Sequence, residues 1–376
     1  MGLFFLIFVI FIFDTYHQGQ DFEVFWRASR AIIEGKSPYL IENQGGMVFK
    51  YPPWIASLFI PFGFISASQA RLAWGIIEVS SLFLVFRWLT LQRINLNDIF
   101  IVFLSFWGVW ISHVLDGQVV LPVLACTLWI WTSKSDRWQY LKVGVILILL
   151  SIKIFWVFSA LGLFTSIRRS TLGLLSFGIL AAILSLPVLW VTPDHSLYQL
   201  FENWIHFASS GETLIGYSKV YGIENQSFSA LFIRIFTLFF QSSIDVVFIS
   251  ITLGLILGGF WWRYSRKLTL EESCAGWLAL APIIHPLAWV HSFVLVFPLA
   301  VLSLKKAAAL KKRSMYICVL FAHLFMVFSS KNAFGILGES LSLLSARSFS
   351  VLLFWWVFSD STHSHSLGES NSLSSS

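Results

Sequence analysis

From residue 54 onward the chain alternates between long apolar blocks and short polar breaks. The blocks fall at 54–86, 99–113, 118–133, 142–167, 171–191, 244–262, 273–304, 314–330 and 341–358. Most are apolar on every face, which predicts helices whose solvent is lipid rather than water. A span takes about 20 residues, so the lengths predict that several blocks are broken or fold back within themselves. An earlier run, Gly2 to Phe13, is short for a span. It lacks a basic leading region and an Ala-x-Ala cleavage site, so a removable signal peptide is not expected.

The breaks are basic. Arg87 with Arg93, Lys134 with Arg137 and Lys142, Arg168 with Arg169, Arg263 with Arg266 and Lys267, and the cluster Lys305, Lys306, Lys311, Lys312 and Arg313 hold more than half of the 25 Lys and Arg residues. Placing all five on the cytoplasmic side, as basic loops prefer, predicts a cytoplasmic amino terminus and about 10 to 12 spans. Block 142–167 then has both ends inside and must turn back, with Lys153 at its tip. A lysine is costly in hydrocarbon and tolerable at a hairpin tip facing a cavity. Block 273–304 turns back at "HPLAWVH", where Pro286 breaks the helix between His285 and His291. The outer segments are 14–53, the turn His113 to Gln118, and a second large loop, 192–243. Residues 1–358 read as one transmembrane domain, an all-α polytopic bundle, and the Ser-rich 359–376 as a disordered cytoplasmic tail.

Composition narrows the class. With 57% hydrophobic, 17% aromatic and 12% charged residues and a mean hydropathy of +0.78, no water-soluble core of this size could hide the apolar surface. The net charge of +6 sits in loop clusters rather than a basic stripe, which argues for the bilayer as partner and against nucleic acid. Cys126, Cys274 and Cys318 lie inside apolar blocks without metal-ligand spacing. No internal repeat of the kind found in two-halved transporters is visible.

The outer segments carry the candidate chemistry. After Asp21, the positions Phe22, Phe25, Trp26, Ala28, Ile32 and Ile33 recur at helical spacing with Glu23, Arg27, Arg30 and Glu34 between them. This predicts an amphipathic interfacial helix stopped by Gly35. Asp21 reads either as its N-cap or as a carboxylate held at the membrane surface as a general base. Lys50-Tyr51-Pro52-Pro53 predicts a helix start, with Pro52 forcing Tyr51 out of the α region and Pro53 in the first turn. Lys153 and His291 read as polar members of a site or as interfacial groups, His113 with Asp116 as a polar pair or loop polarity, and Asn225 as a site residue or a helix cap for segment 228–240. Asp21-Phe22-Glu23 mimics an Asp-x-Glu metal pair, but no other carboxylate is predicted beside it, and no metal is expected.

The runs "DFEVFWRASRAIIEGKSPY", "FKYPPWIASLFIPFGFIS", "AWGIIEVSSL", "DGQVVLPVLA", "SIKIFWVF", "ENQSFSALFIR" and "HPLAWVHSFVLVFP" resemble, in this order, motifs of glycosyltransferase family 87. The resemblance covers residues 21 to about 298. It implies a GT-C helical bundle with an extracytoplasmic first loop. It also implies inverting transfer of a sugar, mannose above all, from a polyprenyl-phosphate carrier to a hydroxyl of a glycolipid or lipid-linked glycan. The donor is a co-substrate, and no cofactor is called for. The resemblance places the base at Asp21. The chemistry asks for donor-phosphate ligands at Lys153, His291 and His285, and for sugar or acceptor contacts at Tyr51, Gln118, Asn225, Gln226 and His113. Val290 stands where the family often has an acid, so no acid's role is carried there. The competing class is a secondary transporter or flippase using Lys153 and histidines for coupling, which the long structured outer loops disfavour. The expected location is the inner membrane, with the site on the periplasmic side.

Overall fold

A computed structural model describes residues 6, 9–10, 19–39, 49–132, 139–153, 156, 159–161, 167–192, 196–209, 222–240 and 245–372. Among them are sixteen α-helices and no strand. The expected leading run 2–13 falls almost wholly outside these residues, as do Lys134 and Arg137 of one basic loop and much of segment 192–243. The chain divides into two compact units, 1–91 with 111–157 and 164–218, and 92–110 with 158–163 and 219–376.

The first unit holds α1 (Gln20–Ile33), α2 (Pro53–Gly63), α3 (Ala67–Leu91), the end of α5 (Trp107–Asp116), α6 (Val120–Thr132), α7 (Gln139–Leu150), α8 (Ile167–Val191) and α9 (Leu197–Ser209). Helix α1 forms where the amphipathic spacing predicts it. Phe22, Phe25, Ala28, Ser29 and Ile32 are buried, while Glu23 pairs with Arg27 and Arg30 with Glu34 along the more open face. Gly19, not Asp21, is the N-cap; Asp21 lies inside the first turn, where a carboxylate favours the helix dipole. Gly35, with φ of 74°, stops the helix as expected, its amide bonded to the Ile32 carbonyl at 2.9 Å.

Helix α2 begins at "KYPP": Pro52 is extended and Pro53 is the first helical residue. The backbone there is tied at two carbonyls. Tyr39 Oη donates to the Tyr51 carbonyl at 2.9 Å, and Trp204 Nε1 to that of Lys50 at 3.1 Å. Trp54 Nε1 reaches Ser151 Oγ at 2.7 Å, pinning the α2 start to the turn after α7. The Phe25 and Phe59 rings stack at 4.2 Å between α1 and α2. Helices α7 and α8 approach through small residues: a Cβ on Gly144 would lie 2.8 Å from Ser176 Cβ, the close packing favoured between helices in lipid.

The second unit holds α4 (Leu96–Ser105), the start of α5, α10 (Phe228–Phe240), α11 (Val246–Ser265), α12 (Leu270–Ile284), a 3-10 segment (Val290–Val296), α13 (Phe297–Leu310), α14 (Arg313–Phe328), α15 (Lys331–Leu343) and α16 (Ala346–Ser372). Helix α12 starts on a capping box between Thr269 and Glu272 and ends at His285, directly before Pro286. It is buried from Ser273 to Ile284. The predicted break of block 273–304 is therefore present, followed by the 3-10 segment and α13. Helix α16 continues to Ser372, into the Ser-rich stretch read from sequence as a tail.

Four helical stretches are long and apolar enough to cross a membrane: Ala67–Leu91, Thr171–Val191, Val246–Ser265 and Val290–Leu310. Two bent pairs, α4 with α5 at 54° and α14 with α15 at 118°, raise this to six. The remaining apolar blocks are built as helices of 10–17 residues. At about 1.5 Å per residue each is shorter than a hydrocarbon core of about 30 Å.

Trp261 stacks on Trp355 with centroids 5.2 Å apart, and its indole lies directly on Gly276, where any Cβ would overlap the ring. Gly276→Ala is expected to destabilise the protein by about 1–3 kcal/mol through overpacking, read as a lower thermal midpoint in mild detergent. Gly259→Ala, with nothing within 4 Å of its Cβ position, is the control and should not lower the midpoint, since alanine is the better helix former.

Candidate functional site

Three chain segments of the first unit bring ionisable groups together. Asp21 sits in the first turn of α1, Asp116 ends α5, and Lys153 follows the turn that closes α7. Lys153 lies within electrostatic reach of both carboxylates, Asp21 the stronger influence. Its ammonium also stands over the Trp156 ring, 5.2 Å from the centroid. Asp116 accepts a hydrogen bond from Ser112 Oγ at 3.2 Å. Tyr51 packs against Phe25 at 4.5 Å and Phe49 at 5.3 Å. Burial and then the Asp21 charge push its phenol far above the ordinary range, so it stays a neutral hydroxyl. Of the residues singled out from sequence, Asp21 thus lies within electrostatic reach of both Tyr51 and Lys153.

His113 and Gln118 fall one layer away, beside groups that the sequence reading assigned no role. Helix α3 presents Arg71, Trp74, Glu78 and Ser81 on its buried face and Leu72, Ile76 and Phe83 outward. His113, fully buried rather than exposed in a loop, has its Nε2 3.6 Å from Glu78 Oε1. Gln118 follows Gly117, whose φ is 64°. The Gln118 side-chain oxygen is buried without a hydrogen-bond partner among the described residues, a position suited to a ligand hydroxyl. Two charges seven residues apart in an apolar helix are themselves a functional signal, because polar groups in such segments face the bundle interior.

In the second unit the predicted residues hold turns. Asn225 Nδ2 donates to the Pro286 carbonyl at 2.7 Å, and its Oδ1 accepts from the Ala288 amide at 3.0 Å and Ser227 Oγ at 3.1 Å. The first turn of α10 is capped by Ser227, whose Oγ accepts from the Ala230 amide at 3.0 Å. Gln226 donates to Ser342 Oγ at 3.0 Å and to the Ser329 carbonyl. His285 Nδ1 accepts from the Leu287 amide at 2.9 Å, and His291 is buried in the 3-10 segment. Glu23, the second member of the Asp-x-Glu pair, is engaged by Arg27.

The family model described as glycosyltransferase family 87 matches residues 49–286, more than half of the chain. The matched span contains Tyr51, Arg71, Glu78, His113, Asp116, Gln118, Lys153, Asn225, Gln226 and His285; Asp21 and His291 lie outside it. Neither a curated protein nor a solved structure matches the chain.

Because Asn225 bonds both sides of the Pro286 turn, Asn225→Ala leaves the Ala288 amide and Pro286 carbonyl short of a partner. The expected cost is about 1–3 kcal/mol, measured as a fall in thermal midpoint of the purified protein. An unchanged midpoint would show that the turn stands without this side chain.

Proposed function

Since the chain belongs to glycosyltransferase family 87, we propose that it transfers a sugar from a polyprenyl-phosphate carrier to a hydroxyl of a glycolipid or lipid-linked glycan. By resemblance the sugar is mannose. The reaction takes place at the periplasmic side of the inner membrane. The observation that carries this reading is the grouping of Asp21 with Lys153 and Tyr51 in the first unit.

The chemistry is one displacement with inversion at the anomeric carbon. The acceptor oxygen attacks as its proton passes to the Asp21 carboxylate; the bond from the anomeric carbon to the phosphate oxygen breaks, and polyprenyl phosphate leaves as an anion. A phosphate leaving group needs no proton, so one carboxylate suffices, and a cation must meet the developing negative charge. Lys153, within electrostatic reach of Asp21, fills that role. Tyr51, held neutral, offers a hydroxyl donor to a sugar oxygen. Gln118, with an open acceptor, is the proposed second sugar contact. For His285 and His291 the proposed phosphate role comes from the order of the motifs.

The test uses purified protein in lipid with labelled polyprenyl-phosphate mannose and a membrane glycolipid extract. Asp21→Asn should lower transfer by about 10²- to 10⁴-fold, the range of a positioned general base, with donor binding retained. Equal transfer by wild type and Asp21→Asn would sink the base assignment. Sugar flux across sealed vesicles with no covalent product would favour a transporter instead.

A further inference from the structure

Arg71 is buried in the second turn of α3, and its guanidinium occupies space that two glycines leave open. A Cβ on Gly19 would overlap the guanidinium carbon and its terminal nitrogens; a Cβ on Gly117 would overlap Nη1. Gly117 needs glycine for its backbone as well, with φ of 64°. Gly19 does not: its φ is −56°, open to any residue, so beyond the ordinary preference for glycine at an N-cap it is the guanidinium that excludes a side chain there. Gly19 is the N-cap of the helix whose first turn holds Asp21, and Gly117 directly follows Asp116. The same guanidinium stands over the Phe22 ring at 5.4 Å, and Phe22 in turn stacks on Trp74 at 5.2 Å. Glu78, two turns further along α3, acts on Arg71 as its electrostatic counter-charge.

We infer that Arg71 is a positioning residue: its planar fork, packed between Gly19 and Gly117, fixes the start of α1 against the Asp116 turn, and so sets Asp21 relative to Lys153. A flat guanidinium can lie against two backbone segments and an aromatic ring at once, which a compact ammonium cannot. The role in turnover rests on Asp21 being the base; the packing itself does not.

The test is a double-mutant cycle with two readouts. In the wild-type background Gly19→Ala should lower the thermal midpoint by about 2–4 °C; in an Arg71→Ala background, where the space is empty, it should lower it by less than half as much, the remainder being the loss of a favoured N-cap residue. Gly19→Ala and Arg71→Lys should each reduce kcat by about 10- to 100-fold, as expected for a misplaced base, with KM for the lipid-linked donor held within about twofold. The kcat losses of Gly19→Ala and Arg71→Ala should not add. Arg71→Leu serves as the second background if Arg71→Ala does not accumulate. Additive midpoints would overturn the packing of Arg71 on Gly19. Coupled midpoints with unchanged kcat, in preparations where Asp21→Asn is inactive, would overturn the positioning role while leaving the base in place. Full transfer by Asp21→Asn would overturn the base and with it the role in turnover, while a coupled thermal cycle would still uphold the packing.

Discussion

A lysine taken out of water has to be met by opposite charge, because the loss of hydration costs several kcal/mol that packing alone does not return. Lys153 is met by Asp21 and Asp116. The three residues come from the start of α1, the end of α5 and the turn after α7, so satisfying one cation draws together three segments distant in sequence. The ties around them serve that convergence: Trp54 to Ser151, Tyr39 to the Tyr51 carbonyl, Trp204 to the Lys50 carbonyl. The first unit can be understood as apolar packing arranged so that these charges meet and stay met.

The polar groups of the second unit are used differently. Around Asn225 and Gln226 the side-chain amide donors and the Asn225 oxygen are spent on backbone or on Ser227, Ser329 and Ser342, while the Gln226 oxygen is left open. A neutral network of this kind specifies a turn without asking for a ligand. In the first unit the groups that face one another are ionisable. That difference is why the chemistry is assigned to Asp21, Lys153 and Tyr51 rather than to the Asn-Gln-Ser turn, although both stretches are equally conspicuous as motifs.

Much of this frame was legible from sequence. The spacing after Asp21 placed α1 to within two residues of its start, the double proline marked the start of α2, and Lys153 and Pro286 marked real breaks because a charge and a missing amide are local facts. Three things were not legible. Hydropathy averages over a whole block, so it could not tell a full span from the 11-residue α2 followed by α3. It likewise concealed Arg71 and Glu78, whose charge is diluted by the apolar residues on the other face of the same helix. The cap falls at Gly19 instead of Asp21, and the space beside that glycine is taken by an arginine 52 positions later, a contact that only the folded chain creates.

The family match begins at residue 49 and therefore leaves out Asp21 itself. It does include Tyr51 and Lys153, which Asp21 influences directly, Asp116, which shares Lys153, and Arg71 with Gly117, which bound the start of its helix. A carboxylate in an amphipathic helix is ordinary, and alone it would read as a favourable first-turn charge. What distinguishes Asp21 is that matched residues surround it with a cation, a neutral hydroxyl and a packed backing for its backbone, the setting that the proposed base requires. The case for Asp21 is thus made by its partners, and it stands or falls with the geometry they impose.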